Sequence, residues 1–475
     1  MIKRNGAFIL MISLLAVLFA GNADAQFWKK KSKRKHKQEQ NTSPASDSTA
    51  AVSPLTKEQK KEKKRKEKEE RKKQKLEKKH KGKADKKKDI AVASVTKAAV
   101  PAAKKRAEII FPPSVFKPRY RIDVLAPLYL DELVKGQYIT YNDKLPEKAL
   151  PGVSFIQGVN IAADSLKKAG FKVDIYIHDV STFNESAEML TSRDELDSTD
   201  LIIGAVQSKD IPVVAAFAKK KHVYFISALS ASDGGVKDNQ YFTLIQPSLK
   251  SNTEWIMGDI AKNYPGRKIT LLYRNAPALD ASAYNYVTND TVVKISFQPL
   301  LCNVLPSKKD LQGVIDTSKT NVLIIPILDA DYADSILKRL NKDFPTTHFE
   351  IYGMPSWNGI ADLKKVKLFP NMVVNVTEAF NFNLASVSGQ FIEREFKKDY
   401  NGKTSELVYR GYETLFWYAH LLKQYGTIFK NTDNAPTPFT PFEIGPQWDN
   451  NNNLLYNENR HIFVTKYEGG NAKTE

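Results

Sequence analysis

Residues 200–232, DLIIGAVQSKDIPVVAAFAKKKHVYFISALSAS, set small polar side chains directly after two apolar runs. Gln207 and Ser208 follow Leu201, Ile202, Ile203 and Gly204; Ser227, Ala228 and Ser230 follow the run that ends at Ile226. Hydroxyls and an amide of this kind, beside backbone N–H groups at helix starts, suit a carboxylate or a sugar hydroxyl held by hydrogen bonds. Covalent and metal chemistry lack their usual arrangements. There is no GxGxxG after a strand, no GxxxxGKS or GxxxxGKT, no GxSxG and no HExxH. None of the seven histidines stands three or four residues from another, and the single cysteine, Cys302, sits in the apolar context LLCNVL. The chain reads as a binder and not an enzyme, with no metal or cofactor expected.

The elements that position these residues follow from the same stretch. A short apolar run that stops at glycine is expected for a strand buried on both faces of a parallel sheet. Gln207, Ser208 and Asp210 then open a helix, and Val213, Val214, Phe217 and Ala218 give it one apolar face. Two parallel strands thus release polar loops at their carboxyl ends, where open α/β sheets bind ligands. The other reading of the stretch is a plain strand–helix–strand unit with serines in its turns.

The front of the chain is of a different kind. Lys3 and Arg4 precede an apolar run from Ala7 to Ala20, and Ala23-Asp24-Ala25 offers small residues for cleavage before Gln26. That is the pattern of a secretory signal over residues 1–25. Residues 26–118 form a lysine-rich arm and linker, expected to be disordered because Leu76 is the only large apolar residue of its most charged part. Pairs such as Glu62 with Lys66 and Glu77 with Lys81 favour transient helix there. The formal charge of +19 belongs to this arm: residues 26–106 hold 30 Lys and Arg against 10 Asp and Glu, which leaves 107–475 close to neutral. The globular part has no electrostatic footprint for nucleic acid. The arm reads either as a tether to an anionic cell-wall or membrane surface, or as a solvated spacer.

From Tyr120 onwards strands and helices alternate. RIDVLAPLYL (121–130) and KVDIYIHDV (172–180) are strands, and a long loop between them is a candidate lip. The order restarts near 248, with RKITLLYRN (267–275), VVKISFQPL (292–300), NVLIIPIL, HFEIYGM and NMVVNVTEAF as further strands. The expected fold is α/β: two halves, each a parallel sheet flanked by helices. Beyond Phe380 come helices, in which Leu407, Gly411, Leu415, Tyr418 and Leu422 make a core stripe, and then a closing hairpin from Phe442 to Tyr467.

In this order the motifs IDVLAPLYL, GVNIAADSLKKAG, KVDIYIHD, LIIGAVQS, VVAAFAKKKHVYFISALS, KITLLYRN, NVLIIPIL and VYRGYETLFWYAHLL resemble the type 1 periplasmic binding proteins, the receptor-family ligand-binding region of leucine/isoleucine/valine-binding type. The resemblance extends over about residues 119–470, and is strongest to divergent Bacteroidetes members fused to LysM repeats. It implies two lobes, 119–247 with about 379–436 and 248–378 with about 437–470, closing on a ligand by hinge motion. It also implies that the loops carrying Gln207, Ser208, Ser227, Ala228 and Ser230 grip the ligand from the first lobe. Tyr273, Asp329 and Trp357 would oppose them from the second lobe, and Tyr129 would close the mouth. Trp357 reads either as a stacking surface or as an edge-of-core residue, and the pair Asp329 and Asp331 either as a cation site or as a helix cap by Asp331. Members that bind amino acids carry an acidic residue after the strand matching FEIYGM; here that loop is PSWNG. The expected ligand is a small molecule, whether amino acid, sugar or muropeptide, bound by an exported envelope protein. The alternative is a peptidoglycan-associated scaffold with a protein partner and no small ligand.

Overall fold

The computed structural model describes residues 106, 108–141, 144–182, 184–289, 293–429 and 435–475. The signal segment and nearly all of the basic arm lie outside these residues.

Short β-branched and aliphatic runs build two seven-stranded sheets. The first contains β1 (Tyr120–Ala126), β4 (Val173–Asp179), β5 (Leu201–Gly204), β6 (Tyr224–Ser227), β7 (Phe242–Leu244), β13 (Ile444–Trp448) and β14 (Leu454–Asn459) in the order β13-β14-β7-β6-β5-β1-β4. The second contains β8 (Lys268–Tyr273), β9 (Ser296–Leu301), β10 (Asn321–Ile324), β11 (Phe349–Gly353), β12 (Met372–Glu378), β15 (Phe463–Glu468) and β16 (Asn471–Thr474) in the order β16-β15-β12-β11-β10-β8-β9. A small hairpin, β2 (Val134–Lys135) with β3 (Tyr138–Ile139), lies in the long loop after β1. β5, β10 and β6 are buried along their whole length, which is why they read as continuous apolar runs.

Both sheets are parallel in the middle, and antiparallel strands finish one edge of each. β14 joins β7 in parallel and carries β13 antiparallel to itself, while β15 runs antiparallel to β12. The closing segment is therefore not one hairpin of the second lobe. The Asn-rich turn joins β13 to β14 on the first sheet, and the strand starting at Phe463 completes the second. The chain passes between the sheets three times: after β7, after β12 and between β14 and β15. At the first passage the Ser248 amide donates to Glu458 Oε1 at 2.6 Å, and Arg410 donates to Gln246 Oε1 at 2.9 Å.

Helices cover the sheets: α1 (Leu130–Leu133), α2 (Leu150–Lys168), α3 (Ala187–Ser192), α4 (Ile211–Lys221), α5 (Leu249–Asn263), α6 (Ala278–Thr288), α7 (Lys308–Gln312), α8 (Ala330–Asp343), α9 (Val387–Tyr400) and α10 (Glu406–Tyr425). On one face of the first sheet Phe155, Val159 and Leu166 of α2 meet Val408, Leu415, Tyr418 and Leu422 of α10 in one core. The backbones of α2 and α10 come so close that a Cβ on Gly158 would lie 1.9 Å from the Val408 oxygen, and one on Gly411 2.0 Å from the Phe155 oxygen. Only glycine fits at this crossing. Further along α10, Glu413 is wholly buried and accepts from the amides of Phe439 and Thr440 at 2.9 and 2.6 Å, tying down the approach to β13.

The linker is ordered further upstream than residue 118. Phe111 packs its ring 5.6 Å from Tyr241 and 6.3 Å from Tyr224. Ser114 Oγ accepts from the Ile428 amide at 3.0 Å, Val115 N donates to Thr427 Oγ1 at 3.1 Å, and Thr427 N returns a bond to the Val115 oxygen at 3.0 Å. Lys117 Nζ lies 2.5 Å from Asp200 Oδ1. This strap runs past the amino ends of β7, β6 and β5, in that order, before becoming β1. Its prolines and single aromatic anchor have no helical or strand period, so composition alone makes it look like linker.

Candidate functional site

The carboxyl ends of β1, β4, β5 and β6 carry a connected polar rim. At its start Asp179, the last residue of β4 and 2% exposed, accepts the amides of Leu128, Tyr129 and Leu130 at 2.8, 3.2 and 2.7 Å. These are free N–H groups at the opening of α1, the kind a carboxylate satisfies. The clamp holds Tyr129 in a left-handed conformation, φ 58° and ψ 36°, which a tyrosine adopts only when its surroundings fix it. Ser181 adds a second hold, accepting the Tyr129 amide at 2.6 Å.

So fixed, the Tyr129 hydroxyl accepts from Gln207 Nε2 at 3.3 Å, and the Lys148 ammonium sits 4.6 Å from its ring. Beyond Gln207, the Ser208 and Ser230 hydroxyls are 3.3 Å apart, and Ser230 Oγ accepts from the Ser232 amide at 3.0 Å. Tyr129, Gln207, Ser208 and Ser230 are thus brought together from three strand ends. Ser227 and Ala228 are not part of this rim. Both are completely buried, because Ser227 still belongs to β6, flanked in register by Gly204 and Leu244. The Ser227 hydroxyl finds no hydrogen-bond partner among the described residues.

In the second lobe, Tyr273 ends β8 and stacks on Tyr284 of α6, ring centroids 4.0 Å apart. The next residue, Arg274, escaped the sequence reading and organises this end of the sheet. Its guanidinium lies 3.5 Å from both Asp280 Oδ2 and Asp329 Oδ2, with the Tyr332 ring 4.5 Å away. Burial pushes the Asp280 carboxyl above its ordinary value, against the pull of the Leu328 amide and Arg274. Asp329, and not Asp331, caps α8, accepting the Tyr332 amide at 3.0 Å. The carboxylate at Asp329 is therefore occupied by its own helix and by Arg274. Trp357 is a core residue: it is fully buried, donates Nε1–H to the Ile327 oxygen at 2.7 Å, and fills the space a Cβ on Gly353 would take. It offers no face to a ligand.

Asp179 and Arg274 are the two residues sequence reasoning missed. The only signal for either was a charged side chain at the end of an apolar run, in IYIHDV and in ITLLYRN.

A putative branched-chain amino acid ABC transporter protein of Rhodospirillum rubrum superimposes with a TM-score of 0.54 at 11% identity, covering 75% of this chain and all of the other. The chain has the type 1 periplasmic-binding fold. LpoA of Haemophilus influenzae shares that fold with a TM-score of 0.50 at 12% identity, over 76% of this chain and 59% of its own. No family model matches the sequence, and no curated protein matches it. In a type 1 periplasmic-binding fold the rim at Tyr129, Gln207, Ser208 and Ser230 and the Arg274–Asp329 cluster occupy carboxyl ends of parallel strands in the two lobes, the ends at which open α/β sheets take ligands.

Proposed function

We propose that the chain is an exported, non-catalytic binding protein of the cell envelope that takes a small polar molecule between its lobes and closes on it about the three crossings. The observation that carries this reading is the gathering of Tyr129, Gln207, Ser208 and Ser230 at the carboxyl ends of β1, β5 and β6. Their side chains are neutral donors and acceptors, suited to hydroxyl, amide or carboxylate groups, and the second lobe adds an arginine whose charge is already shared by two aspartates. A ligand that binds only the folded state raises the melting temperature, by about 2.7 kcal/mol of added stability at a hundredfold excess over Kd. The test is a thermal-shift panel of amino acids, sugars and muropeptides on the protein and on a Ser208→Ala/Ser230→Ala variant. A compound that stabilises the first and not the second supports the reading. Stabilisation by none of the panel, together with sedimentation on isolated peptidoglycan, overturns it in favour of a scaffold.

A further inference from the structure

We propose that the strap across the base of the first sheet docks this protein on an anionic lipid surface. Three apolar side chains of the strap stand in solvent: Ile110 is 78% exposed, Val115 52% and Phe116 67%. They are not on a loose tail. Phe111, Ser114, Val115 and Lys117 each hold the strap to the body of the lobe, and Pro112, Pro113 and Pro118 restrict its backbone. A fixed segment that keeps three large apolar groups in water is placed to put them somewhere else.

The charge around them says where. Lys117 and Arg119, which follow Phe116, are each paired with a carboxylate of the lobe, Asp200 at 2.5 Å and Asp174 at 2.9 Å, so the charge that would meet a lipid comes from upstream of the strap. Lys104, Lys105 and Arg106 lead directly into the strap, and the sequence upstream is the strongly basic arm, which opens with Phe27-Trp28 and three lysines. Aliphatic and aromatic side chains beside dense positive charge are the composition of interfacial anchors, in which an apolar patch and a basic cluster together give binding that neither sustains alone. Peptidoglycan supplies polar and charged groups but no apolar phase, so it leaves Ile110, Val115 and Phe116 without a role. The placement also fits the rest of the molecule. The strap lies at the amino ends of the sheet strands and the polar rim at their carboxyl ends, so docking by the base leaves the rim facing away from the lipid. The proposal does not depend on a ligand in the cleft.

The test uses the chain beginning at Gln26. It lacks the apolar 7–20 run, which would itself enter lipid, and it retains the arm and all the cores, which lie between Phe111 and Tyr467. Co-sedimentation is measured with vesicles of phosphatidylglycerol and phosphatidylcholine, with vesicles of phosphatidylcholine alone, and with isolated peptidoglycan. The protein is expected to bind the anionic vesicles, and an Ile110→Asp/Val115→Asp/Phe116→Asp variant with unchanged melting temperature to bind them about tenfold more weakly or worse at the same salt. A polarity-sensitive dye on Phe116→Cys, with Cys302 buried and out of reach, should shift to the blue on adding those vesicles. The dye also decides the matter if the triple variant does not fold. The proposal is overturned if the triple variant binds like the parent, if the dye stays in water while the protein is vesicle-bound, or if sedimentation occurs only with peptidoglycan.

Discussion

Asp179 reaches across from the end of β4 to hold the amide of Tyr129, whose backbone is left-handed. The Asp179 carboxylate also accepts the Leu128 and Leu130 amides, so removing it leaves both without that partner while Ser181 still holds the amide of Tyr129. Asp179→Ala should cost about 3 kcal/mol or more in urea unfolding, and residues 128–133 should lose hydrogen-exchange protection beyond the global loss. Equal loss everywhere would mean that the clamp is not local.

The crossing of α2 and α10 gives a steric prediction with its own control. Gly158→Ala and Gly411→Ala each drive a methyl group into a backbone carbonyl, and each should destabilise by more than about 3 kcal/mol. Gly258, in α5, has open space around its Cβ position, so Gly258→Ala should be neutral or add up to about 1 kcal/mol. Melting temperatures of the three variants check this.

Two buried carboxylates set opposite slopes of stability with pH. Burial pushes the Asp123 carboxyl up, but hydrogen bonds from His178, Arg121 and Thr199 outweigh it and leave the group below its ordinary value. A carboxyl held below its unfolded value stabilises the fold above that value, and the contribution is lost as pH falls through the lower, folded one. Glu413 is the reverse: burial raises it from 4.5 to about 7, against hydrogen bonds from Thr440 and Phe439 and the charge of Arg410. Its proton is bound more tightly in the folded state, so its contribution is complete below 4.5 and is lost as pH rises through about 7. Asp123→Asn should remove part of the acid limb of the melting curve, and Glu413→Gln should flatten the fall between those two values.

Limited trypsinolysis should stop at the strap. Cleavage after Arg106 leaves a resistant core beginning at Ala107, because Phe111 to Lys117 are pinned to the lobe. Gly426, at φ 81° and with no room for a Cβ beside Ser114 and Val115, is the residue against which the strap lies. Gly426→Ala should loosen the strap and move the cut to Arg119, read by amino-terminal sequencing.

The sequence showed the strands best where burial on both faces made them unbroken apolar runs, as in LIIG and YFIS. What it misjudged depended on contacts between distant residues. Ser227 lies after the apolar run, but β6 includes it, and that one position decides between the rim and the interior. Trp357 sits in a loop by sequence, while the space left by Gly353 takes its ring into the core. Asp179 acts on residues some fifty positions earlier in the chain, and nothing in its own neighbourhood signals this. The closing strands were misallotted because two turns, at the Asn-rich stretch and at Gly469-Gly470, leave several pairings equally compatible with the pattern.

Neither sheet is finished by the residues that begin it. β7 acquires its neighbour β14, and β12 its neighbour β15, only from the last few dozen residues of the chain. A polypeptide threaded amino end first, whether from the ribosome or through a membrane pore, thus presents two raw strand edges until its tail arrives. Truncation before 444 would leave both edges unpaired at once and is expected to promote self-association, read as a rise in apparent mass by size-exclusion chromatography.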